Sequence, residues 1–478
     1  MDVLRLTGGG VGMGESRLDL QLQKGPDGLL TLTVSGEEEN GGRRRVHRRL
    51  DPRSHRDFLD LHDELSRRFD LRAPEAAAPV TGAPDPAVRA ILTENLGAGI
   101  LYGYGDPAVT RVRNAAGTVT WWLYVTSNDA PDAFPILRSD DLETWRPAGF
   151  VFPEGRAPAW AMSGPGADFW APEMHQVGGA FWLCFTARTH DGDLAIGLAR
   201  APSPAGPFEP AAEPLLRGGV IDPHIVLDPT EAPHLVWKED TNDRWPPLIA
   251  RLMRLRPELG PVLFAGPRDV RTARLCADLL ALRPDAAPME TFFILQPLIE
   301  AAADDFPAFR ERLAALAAEP GPEPECQTLA REALTAARTV IRAQRMSDDG
   351  SALVGESTVI LENDQAWEAH LIEGPWISRV GEHYLLLYAG NDFSTGRYGI
   401  GAALAAHPLG PYEKAPLPLL GSSTAWIAPG HPSVTTDAQG QPRMFMHGFV
   451  PGQVGYKAFR ALLTAPLTVK NGQIRTGD

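Results

Sequence analysis

The amino-acid sequence predicts a mainly β fold: a five-bladed β-propeller with an α-helical insertion in blade three and a small α+β unit at the N-terminus. Five short strands, rich in aromatic and aliphatic residues, recur after residue 96, and each follows a start marked by proline. A helical texture over residues 250–338 separates two of these starts by about 100 residues more than the others. The first two observations predict the propeller, and the third predicts the insertion.

The first 71 residues are predicted to form a unit of their own. Residues 17–22 and 30–34 alternate polar and apolar side chains around a Gly- and Pro-containing turn at residues 25–28, which is typical of a β-hairpin. Residues 53–69 carry large apolar side chains at helical spacing. Residues 72–95 are rich in Ala and Pro, so they are predicted to be a linker.

The propeller is predicted over residues 96–470. Its clearest strand segments combine aromatic and aliphatic side chains, as strands that pack on both faces do. They are residues 121–125, 181–185, 234–237, 383–388 and 443–447. Five such units would close a ring in which the innermost strands surround one axis. Residues at equivalent positions of the units would then converge on that axis.

The insertion is predicted from the spacing of the unit starts. The starts are about 50–65 residues apart, except for the third interval, which is about 150 residues long. Within the excess, Phe309, Leu313 and Leu316 share one helical face, and breaks of Pro and Gly predict three or four helices. We interpret residues 250–338 as an insertion within blade three rather than as a separate catalytic domain.

Composition excludes several classes of partner. The 478-residue chain has a formal net charge of −15 and no basic stripe, so nucleic acid is not an expected partner. No apolar run approaches the roughly 20 residues of a membrane span, so a membrane is not expected either. The first residues have neither a basic nor an apolar signal region, which favours a cytoplasmic protein; a signal peptide removed from the natural precursor stays an alternative. The three cysteines fit no metal motif or disulfide framework.

Three acidic motifs lie in the predicted blades. Asp before Pro is a common turn former, and Asp51 and Asp228 are interpreted as turn residues. Three other acids follow an apolar or Gly-rich run and precede a rigid turn and a β-prone segment: Asp106, Asp222 and Glu373. Acids repeated in one local frame are expected to aim their carboxyl groups at a common centre. Converging carboxyl groups are what glycoside hydrolysis needs.

Further motifs occur in a fixed order along the predicted propeller. They are residues 169–173, 235–242, 342–350, 367–376 and 428–434. As an ordered set they resemble the blade signatures of glycoside hydrolase family 43, the arabinofuranosidase and β-xylosidase group of five-bladed propellers. The resemblance covers residues 96–470 without the insertion, which splits one family segment between residues 242 and 342. The N-terminal unit carries no such resemblance.

The resemblance implies roles for the three acids. Asp106 would be the general base that takes a proton from water, and Glu373 the general acid that protonates the leaving oxygen. Asp222 would orient Glu373 and raise its pKa. Unperturbed Asp and Glu have pKa values of about 3.9 and 4.3, too low to donate a proton at neutral pH. Burial near like charge raises such a pKa, and two carboxyls far enough apart to admit a water give single displacement with inversion.

Other residues have two interpretations. Trp170 and Trp376 are candidates for stacking on a sugar, with blade packing as the alternative. Glu173 is a candidate pocket residue or a turn residue at a blade start. His431 resembles a family histidine that in some members ligates calcium or another ion at the propeller centre, and a site histidine without metal is the alternative. His447 lies on an apolar strand and is interpreted as a core residue.

The resemblance implies an inverting exo-glycosidase that releases terminal α-L-arabinofuranose or β-D-xylose from small oligosaccharides. No cofactor is required, and a structural calcium ion at the propeller centre is the one metal considered. The alternatives are a related propeller glycosidase for galactofuranose or fructose, and a non-catalytic sugar-binding propeller. The sugar, the linkage, the oligomeric state and the roles of the N-terminal unit and the insertion stay open.

Overall fold

A computed structural model describes residues 3–8, 15–27, 29–38, 43–51, 57, 60, 71–72, 82–153, 156–164, 166–281, 283–284, 286, 288–318, 324–455, 457–470 and 472–477. By their internal contacts the residues form two compact units. The first comprises Met1–Ala78 and Thr241–Arg338, and the second comprises Pro79–Asp240 and Thr339–Asp478. The N-terminal segment and the helical insertion were predicted as separate parts of the chain, and they belong to one unit.

The first unit contains an antiparallel sheet of four strands in chain order: β1 (Val3–Gly8), β2 (Glu15–Lys24), β3 (Leu30–Glu38) and β4 (Arg43–Leu50). Strands β2 and β3 confirm the predicted hairpin, because Leu20 pairs with Val34 across them. The predicted helix over residues 53–69 lies, apart from residues 57 and 60, outside the described residues.

The described part of the insertion contains six α-helices rather than three or four. They are α1 (Trp245–Leu255), α2 (Gly260–Leu263), α3 (Pro267–Ala281), α4 (Pro288–Ala303), α5 (Phe306–Ala318) and α6 (Pro324–Ala336). Each has a proline at its first or second position, where the missing N–H costs nothing. Several prolines interpreted as breaks are thus helix starts, which is why the predicted number was too low.

Apolar and polar contacts hold this unit together. The Trp245 ring packs on Phe306 and Phe309, with centroid distances of 5.7 and 5.5 Å. The Arg72 N–H donates to Thr272 Oγ1 at 2.9 Å, so the end of the N-terminal segment lies on helix α3.

The second unit contains five antiparallel sheets in the residues that the structure describes, here called sheets I to V in chain order. Strand β5 (Arg89–Leu92) comes first along the chain and belongs to sheet V. Sheets I and II contain β6 (Ala108–Arg113), β7 (Val119–Tyr124), β8 (Ala133–Ser139), β9 (Trp145–Phe152), β10 (Trp170–Val177), β11 (Ala180–Arg188), β12 (Leu194–Ala201), β13 (Glu209–Pro210) and β14 (Leu216–Arg217).

Sheets III to V follow with the same up-and-down order. They contain β15 (Val220–Leu227), β16 (Pro233–Glu239), β17 (Val340–Met346), β18 (Leu353–Glu362), β19 (Ile372–Val380), β20 (His383–Gly390), β21 (Gly399–Ala405), β22 (Glu413–Lys414), β23 (Ile427–Thr436), β24 (Pro442–Phe449), β25 (Ala461–Lys470) and β26 (Gln473–Thr476). The helices α1–α6 lie along the chain between β16 and β17, the second and third strands of sheet III.

The five strand segments predicted from the sequence are confirmed as the second strands of the five sheets: β7, β11, β16, β20 and β24. The predicted linker over residues 72–95 needs correction at its end. Strand β5 pairs with β25, where Leu92 lies opposite Leu462. Four residues are too few to show a strand periodicity, so only the pairing reveals this strand.

The first strands of the sheets form a closed series of contacts. Strand β6 contacts β10, and the series continues through β15, β19 and β23 back to β6. An apolar core fills every interface between neighbouring sheets, including the one between sheets V and I. The second unit is therefore a closed arrangement of five sheets, here called the five-sheet ring. Within the described residues, no helix has the length and apolar character needed to cross a membrane.

Each first strand has the same backbone distortion in its first half or just before it. The residue before the start proline has a positive φ in every sheet: 52° at Asp106, 46° at Ala171, 55° at Asp222, 56° at Gly374 and 48° at His431. We call these five residues the pivots. A non-glycine residue in this conformation costs of order 1–3 kcal/mol, and a following proline restricts it further. The surrounding sheets must therefore hold the pivots in place.

Candidate active site

The pivots bring three of the predicted site residues together. The His431 Nδ1 atom lies 3.5 Å from Asp106 Oδ1 and 4.0 Å from Asp222 Oδ2. Glu373 precedes the pivot Gly374, so its frame differs by one residue from that of the two aspartates, contrary to the predicted common frame. The Gly374 N–H donates to Asp222 Oδ2 at 2.9 Å, which joins Asp222 to the backbone beside Glu373.

Asp106 is surrounded by cationic and hydrogen-bonding groups. Arg460 Nη1 lies 2.8 Å from its Oδ1 atom, and the Thr126 hydroxyl donates to Oδ2. His447 Nδ1 lies 3.4 Å from the same Oδ1 atom and accepts the Asp106 N–H at 3.2 Å. Burial alone would raise the pKa of Asp106, but Arg460, His431 and His447 together hold that pKa well below its usual range. This carboxylate is therefore ionised and can accept a proton.

Two glycines allow these close approaches. A Cβ atom on Gly105 would lie 1.8 Å from the Arg460 guanidinium carbon, so a side chain there would displace the guanidinium. A Cβ atom on Gly374 would lie 3.0 Å from the His431 ring, and its φ of 56° also favours glycine. The glycines beside Asp106 and Glu373 thus make room for the partners of the acids.

Glu373 has a different environment from Asp106. The Tyr398 hydroxyl donates to its Oε1 atom at 2.7 Å, and Lys238 Nζ lies 3.6 Å from Oε2. Burial raises the pKa of Glu373 to about 7, and the charge of Asp222 adds to this, while Lys238 opposes it. A carboxyl group of this kind keeps its proton close to neutral pH and can donate it.

Asp222 has an electrostatic environment similar to that of Glu373. Burial raises its pKa to about 7, with Lys238 opposing and Asp106 contributing to the rise. Lys238 is only 1% exposed, and it lies 2.7 Å from Asp240. Burial would lower the pKa of Lys238, but Asp240, Glu373 and Asp222 raise it above its usual value, so the ammonium group stays charged. Asp222 and Glu373 therefore share one buried cation.

The predicted sugar-binding residues occupy two levels of the ring. Trp170 immediately precedes the pivot Ala171, just as Glu373 immediately precedes the pivot Gly374. The Trp170 indole N–H donates to Asn128 Oδ1 at 3.0 Å. Glu173 and Trp376 each lie two residues after a pivot, further along the first strands. Trp170 is thus placed at the level of the acids, whereas Glu173 and Trp376 are placed beyond them.

The contacts of Glu173 and Trp376 are with histidines of the first strands. Trp376 is buried and packs against His224 with a ring-centroid distance of 4.9 Å, and its indole N–H donates to Ser378. Glu173 is buried and lies 2.6 Å from His224 Nδ1.

Sequence reasoning missed several residues around the acids. Arg460, Tyr398 and Thr126 belong to no recognised motif, and Lys238 was noted only within a longer segment. His447 is buried, as predicted for a core residue, but its Nδ1 atom contacts Asp106, so the interpretation as core alone was incomplete. These residues come from strands or loops distant in sequence from the acids, and only their contacts identify them.

Comparison with known proteins identifies the family. The model of glycosyl hydrolases family 43 matches residues 100–255 and 329–474, which is more than half of the chain. The unmatched residues between these segments lie inside the helical insertion. Xylosidase/arabinosidase 43A of Humicola insolens is 39% identical over 61 residues, a match that spans 13% of this chain and 19% of that protein.

Solved structures share the fold. A thermostable family-43 glycoside hydrolase is 22% identical, with a TM-score of 0.53 over 80% of this chain and 94% of that chain. An endo-1,4-β-xylanase from Bacteroides thetaiotaomicron is 17% identical, with a TM-score of 0.51 over 79% of this chain and 95% of that chain. From the extent of the family match, the chain belongs to family 43 of the glycosyl hydrolases.

Proposed function

We propose that the five-sheet ring is a five-bladed β-propeller and that the enzyme is an inverting exo-glycosidase for terminal α-L-arabinofuranosyl or β-D-xylosyl residues. One observation carries the mechanism. Two carboxyl groups of one site have opposite pKa shifts: Arg460 and two histidines hold the pKa of Asp106 low, while burial raises that of Glu373 to about 7. Such a division supplies one base and one acid at the same pH.

Asp106 acts as the general base. Its ionised carboxylate accepts a proton from a water molecule, which attacks the anomeric carbon of the sugar. Arg460 and Thr126 hold the carboxylate by one oxygen each, which fixes its orientation.

Glu373 acts as the general acid. Its proton passes to the glycosidic oxygen as the bond to the anomeric carbon breaks, and the product alcohol leaves neutral. Lys238 and the Tyr398 hydroxyl then stabilise the carboxylate that forms on Glu373. Asp222 orients the acid through its bond to the Gly374 N–H, and its charge keeps the pKa of Glu373 raised. Proton exchange with solvent restores both groups.

This mechanism inverts the anomeric centre, because the attacking water and the leaving oxygen occupy opposite faces of the sugar. It requires the carboxyl groups of Asp106 and Glu373 to be about 6.5–9.5 Å apart.

Trp170 is proposed as a platform for the sugar. Its frame, one residue before a pivot, directs it to the same end of the ring as Glu373. Its ring is held by the hydrogen bond to Asn128, and a flat apolar face packs well on a sugar ring. Glu173 and Trp376 receive no sugar contact in this proposal, since both lie beyond the acids along the first strands.

The donors around His431 do not suit calcium, which takes six to eight oxygen ligands. Of the nearby carboxylate oxygens, Asp106 Oδ1 binds Arg460, Asp106 Oδ2 binds Thr126, and Asp222 Oδ2 binds the Gly374 N–H. We therefore assign no step of the reaction to calcium, and His431 acts through its contacts with the two aspartates.

The choice of sugar and of exo action is supported by the name of the Humicola relative, which matches only a short segment of this chain. A panel of p-nitrophenyl glycosides tests it. We expect release from the α-L-arabinofuranoside or the β-D-xyloside, and proton NMR should show the inverted anomer as the first product. Release only from a galactofuranoside would identify the alternative of a related propeller glycosidase. If no glycoside is hydrolysed but the protein binds sugars, the protein is the non-catalytic alternative. A retained anomer would reject the single-displacement mechanism.

A further inference from the structure

A second cluster of ionisable groups lies beyond the acids along the first strands of sheets II and III. Glu173 Oε2 is 2.6 Å from His224 Nδ1 and 3.2 Å from His175 Nε2. One ligand atom from each of these three residues lies within 4.8 Å of the others. Glu173 and His224 are both two residues after their pivots, so the cluster is about 7 Å further along the strands than the pivots.

The chemistry of the donors points to a metal. Two imidazoles and one carboxylate form a common ligand set for zinc, with a water in the fourth position. Both histidines turn a ring nitrogen toward the Glu173 carboxylate. His175 Nε2 also accepts the Ile225 N–H at 3.4 Å, a contact that a metal on that nitrogen would replace. One carboxylate balances half of the charge of a divalent ion.

The backbone of sheet IV supplies an outer partner for His224. The His224 Nε2 atom lies 3.2 Å from the Ile377 carbonyl oxygen, so a proton on Nε2 can be donated there and Nδ1 is left free for a metal. Metal-ligating histidines usually donate their other N–H to a carbonyl or carboxylate in this way. The same Nε2 atom is 3.1 Å from the Ile377 N–H, which suits the other tautomer and a metal-free hydrogen bond from Nδ1 to Glu173. The cluster can therefore exist in both states.

An ion can reach the cluster from one side. A cavity of about 280 Å³ is lined by residues of all five first strands, including His175, Trp376 and Ile225. The side chain of His175 is 15% exposed, whereas that of His224 is 2% exposed. His175 therefore lies between the cavity and the buried part of the cluster, and the cavity can supply the water ligand.

We propose that Glu173, His175 and His224 bind one divalent transition-metal ion of the zinc type. The ion links sheets II and III directly and sheet IV through the Ile377 carbonyl. On binding, the 2.6 Å contact between Glu173 and His224 opens so that both ligands approach the ion at about 2.0–2.2 Å. The site is distinct from the one at His431, because it shares no ligand with the acids.

Zinc titration of the chelator-treated protein tests the site. We expect calorimetry to show that one equivalent of Zn²⁺ binds, and we expect the bound ion to raise the melting temperature of the protein. The variants Glu173→Gln and His175→Gln should bind Zn²⁺ at least about 10–100-fold more weakly. Mutation of the outer partners of metal ligands already costs this much affinity, and these variants remove direct ligands. His383→Gln is the matched control, because His383 is an exposed histidine of sheet IV, and it should bind zinc like the wild type.

Two further measurements separate the outcomes. His431→Gln should leave zinc affinity unchanged, and a loss of affinity there would place the ion at His431 instead. Titration of the wild-type protein with Co²⁺ should give the visible absorption bands of a tetrahedral nitrogen and oxygen site, and this result does not depend on whether any variant folds. Absence of stoichiometric Zn²⁺ binding and of these bands would show that the cluster is a metal-free hydrogen-bonded network, and would overturn the proposal.

Discussion

Two clusters of buried ionisable groups occupy different levels of the same first strands, and they differ in their positive partners. At the pivot level, Asp106 is held by Arg460, and Glu373 shares Lys238 with Asp222. Two residues further along, Glu173 contacts only imidazoles among the side-chain partners that the structure gives it. Permanent cations therefore accompany the acids, and neutral bases accompany Glu173.

The difference shows that residues at two levels of the same first strands can have different electrostatic environments. The pivots place the strands, but residues from other strands decide the charge state of each carboxyl group. A guanidinium next to a carboxylate lowers the pKa of that carboxyl group. Burial raises the pKa of a carboxyl group whose positive partner is more distant. Beside Glu173, where the side-chain partners are imidazoles, the proposed divalent ion would supply the positive charge.

The largest expected effect is on catalysis by the pivot-level acids. Asp106→Asn removes the base, so kcat/KM should fall by about 10²–10⁴ for every leaving group. Glu373→Gln removes the proton donor, so the loss should be severe for poor leaving groups and small for acidic phenols, which need little protonation. The measurement is kcat/KM of both variants against leaving-group pKa. Equal slopes for the two variants would contradict the assigned roles.

Azide gives an independent check on Asp106→Asn. No glycosyl-enzyme forms in a single displacement, so added azide should not give a glycosyl azide of retained configuration.

Lys238 tests the effect of the shared cation on pH dependence. The acid must be protonated to act, so wild-type kcat/KM should fall as the pH rises through the pKa of Glu373, which is about 7. Lys238 opposes the rise of that pKa, so Lys238→Met should move the alkaline limb to higher pH by about one unit or more. The pH profile of kcat/KM measures the shift.

Lys414→Met is the matched control for Lys238. Lys414 is a half-buried lysine whose side chain is 8% exposed, and it lies 2.7 Å from the buried carboxyl group of Glu368 rather than at the site. Breaking either buried ion pair should cost about 3–5 kcal/mol of unfolding free energy. Only Lys238→Met should move the alkaline limb; a similar shift in Lys414→Met would assign the effect to general destabilisation.

Gly105→Ala should have a smaller effect, through Arg460. The added methyl group would displace the guanidinium from Asp106, so the pKa of Asp106 should rise and the acidic limb of kcat/KM should move to higher pH. Gly421→Ala, where a Cβ atom would meet nothing within 4 Å, is the control and should leave the profile unchanged. An unchanged acidic limb in Gly105→Ala would mean that Arg460 does not set the charge state of Asp106.

Removal of the first unit should have the smallest effect on both clusters. The acids, Arg460, Lys238 and the Glu173 cluster all belong to the second unit. A chain without residues 1–78, in which a short Gly-Ser link replaces residues 241–338, should still unfold cooperatively and bind zinc, because loop closure costs grow slowly with length. Thermal unfolding and zinc titration measure this. Loss of cooperative unfolding would show that the five-sheet ring needs the first unit for its stability.

The sequence alone predicted the strands and the acids because both have local signals. The second strands, such as β7 and β20, combine aromatic and aliphatic residues, a composition that is typical of buried β-strands. Asp106, Asp222 and Glu373 stand beside rigid turns that repeat along the chain, and the family resemblance attached roles to them. The helices of the insertion were recognised by periodicity, although prolines at their starts hid their number.

Only the tertiary structure decided which groups surround each carboxyl. Arg460 lies 354 positions after Asp106, and Tyr398 lies 25 positions after Glu373, so no local pattern connects them. The one-residue offset of Glu373 and the pairing of Glu173 with His224 likewise depend on the pivots and on strand register. A pKa follows from the charges and burial within a few ångströms of a group. Sequence motifs and the family resemblance could therefore name the acids and suggest a role for each, but the opposite pKa shifts of Asp106 and Glu373 depend on distant partners that only the closed ring brings to them.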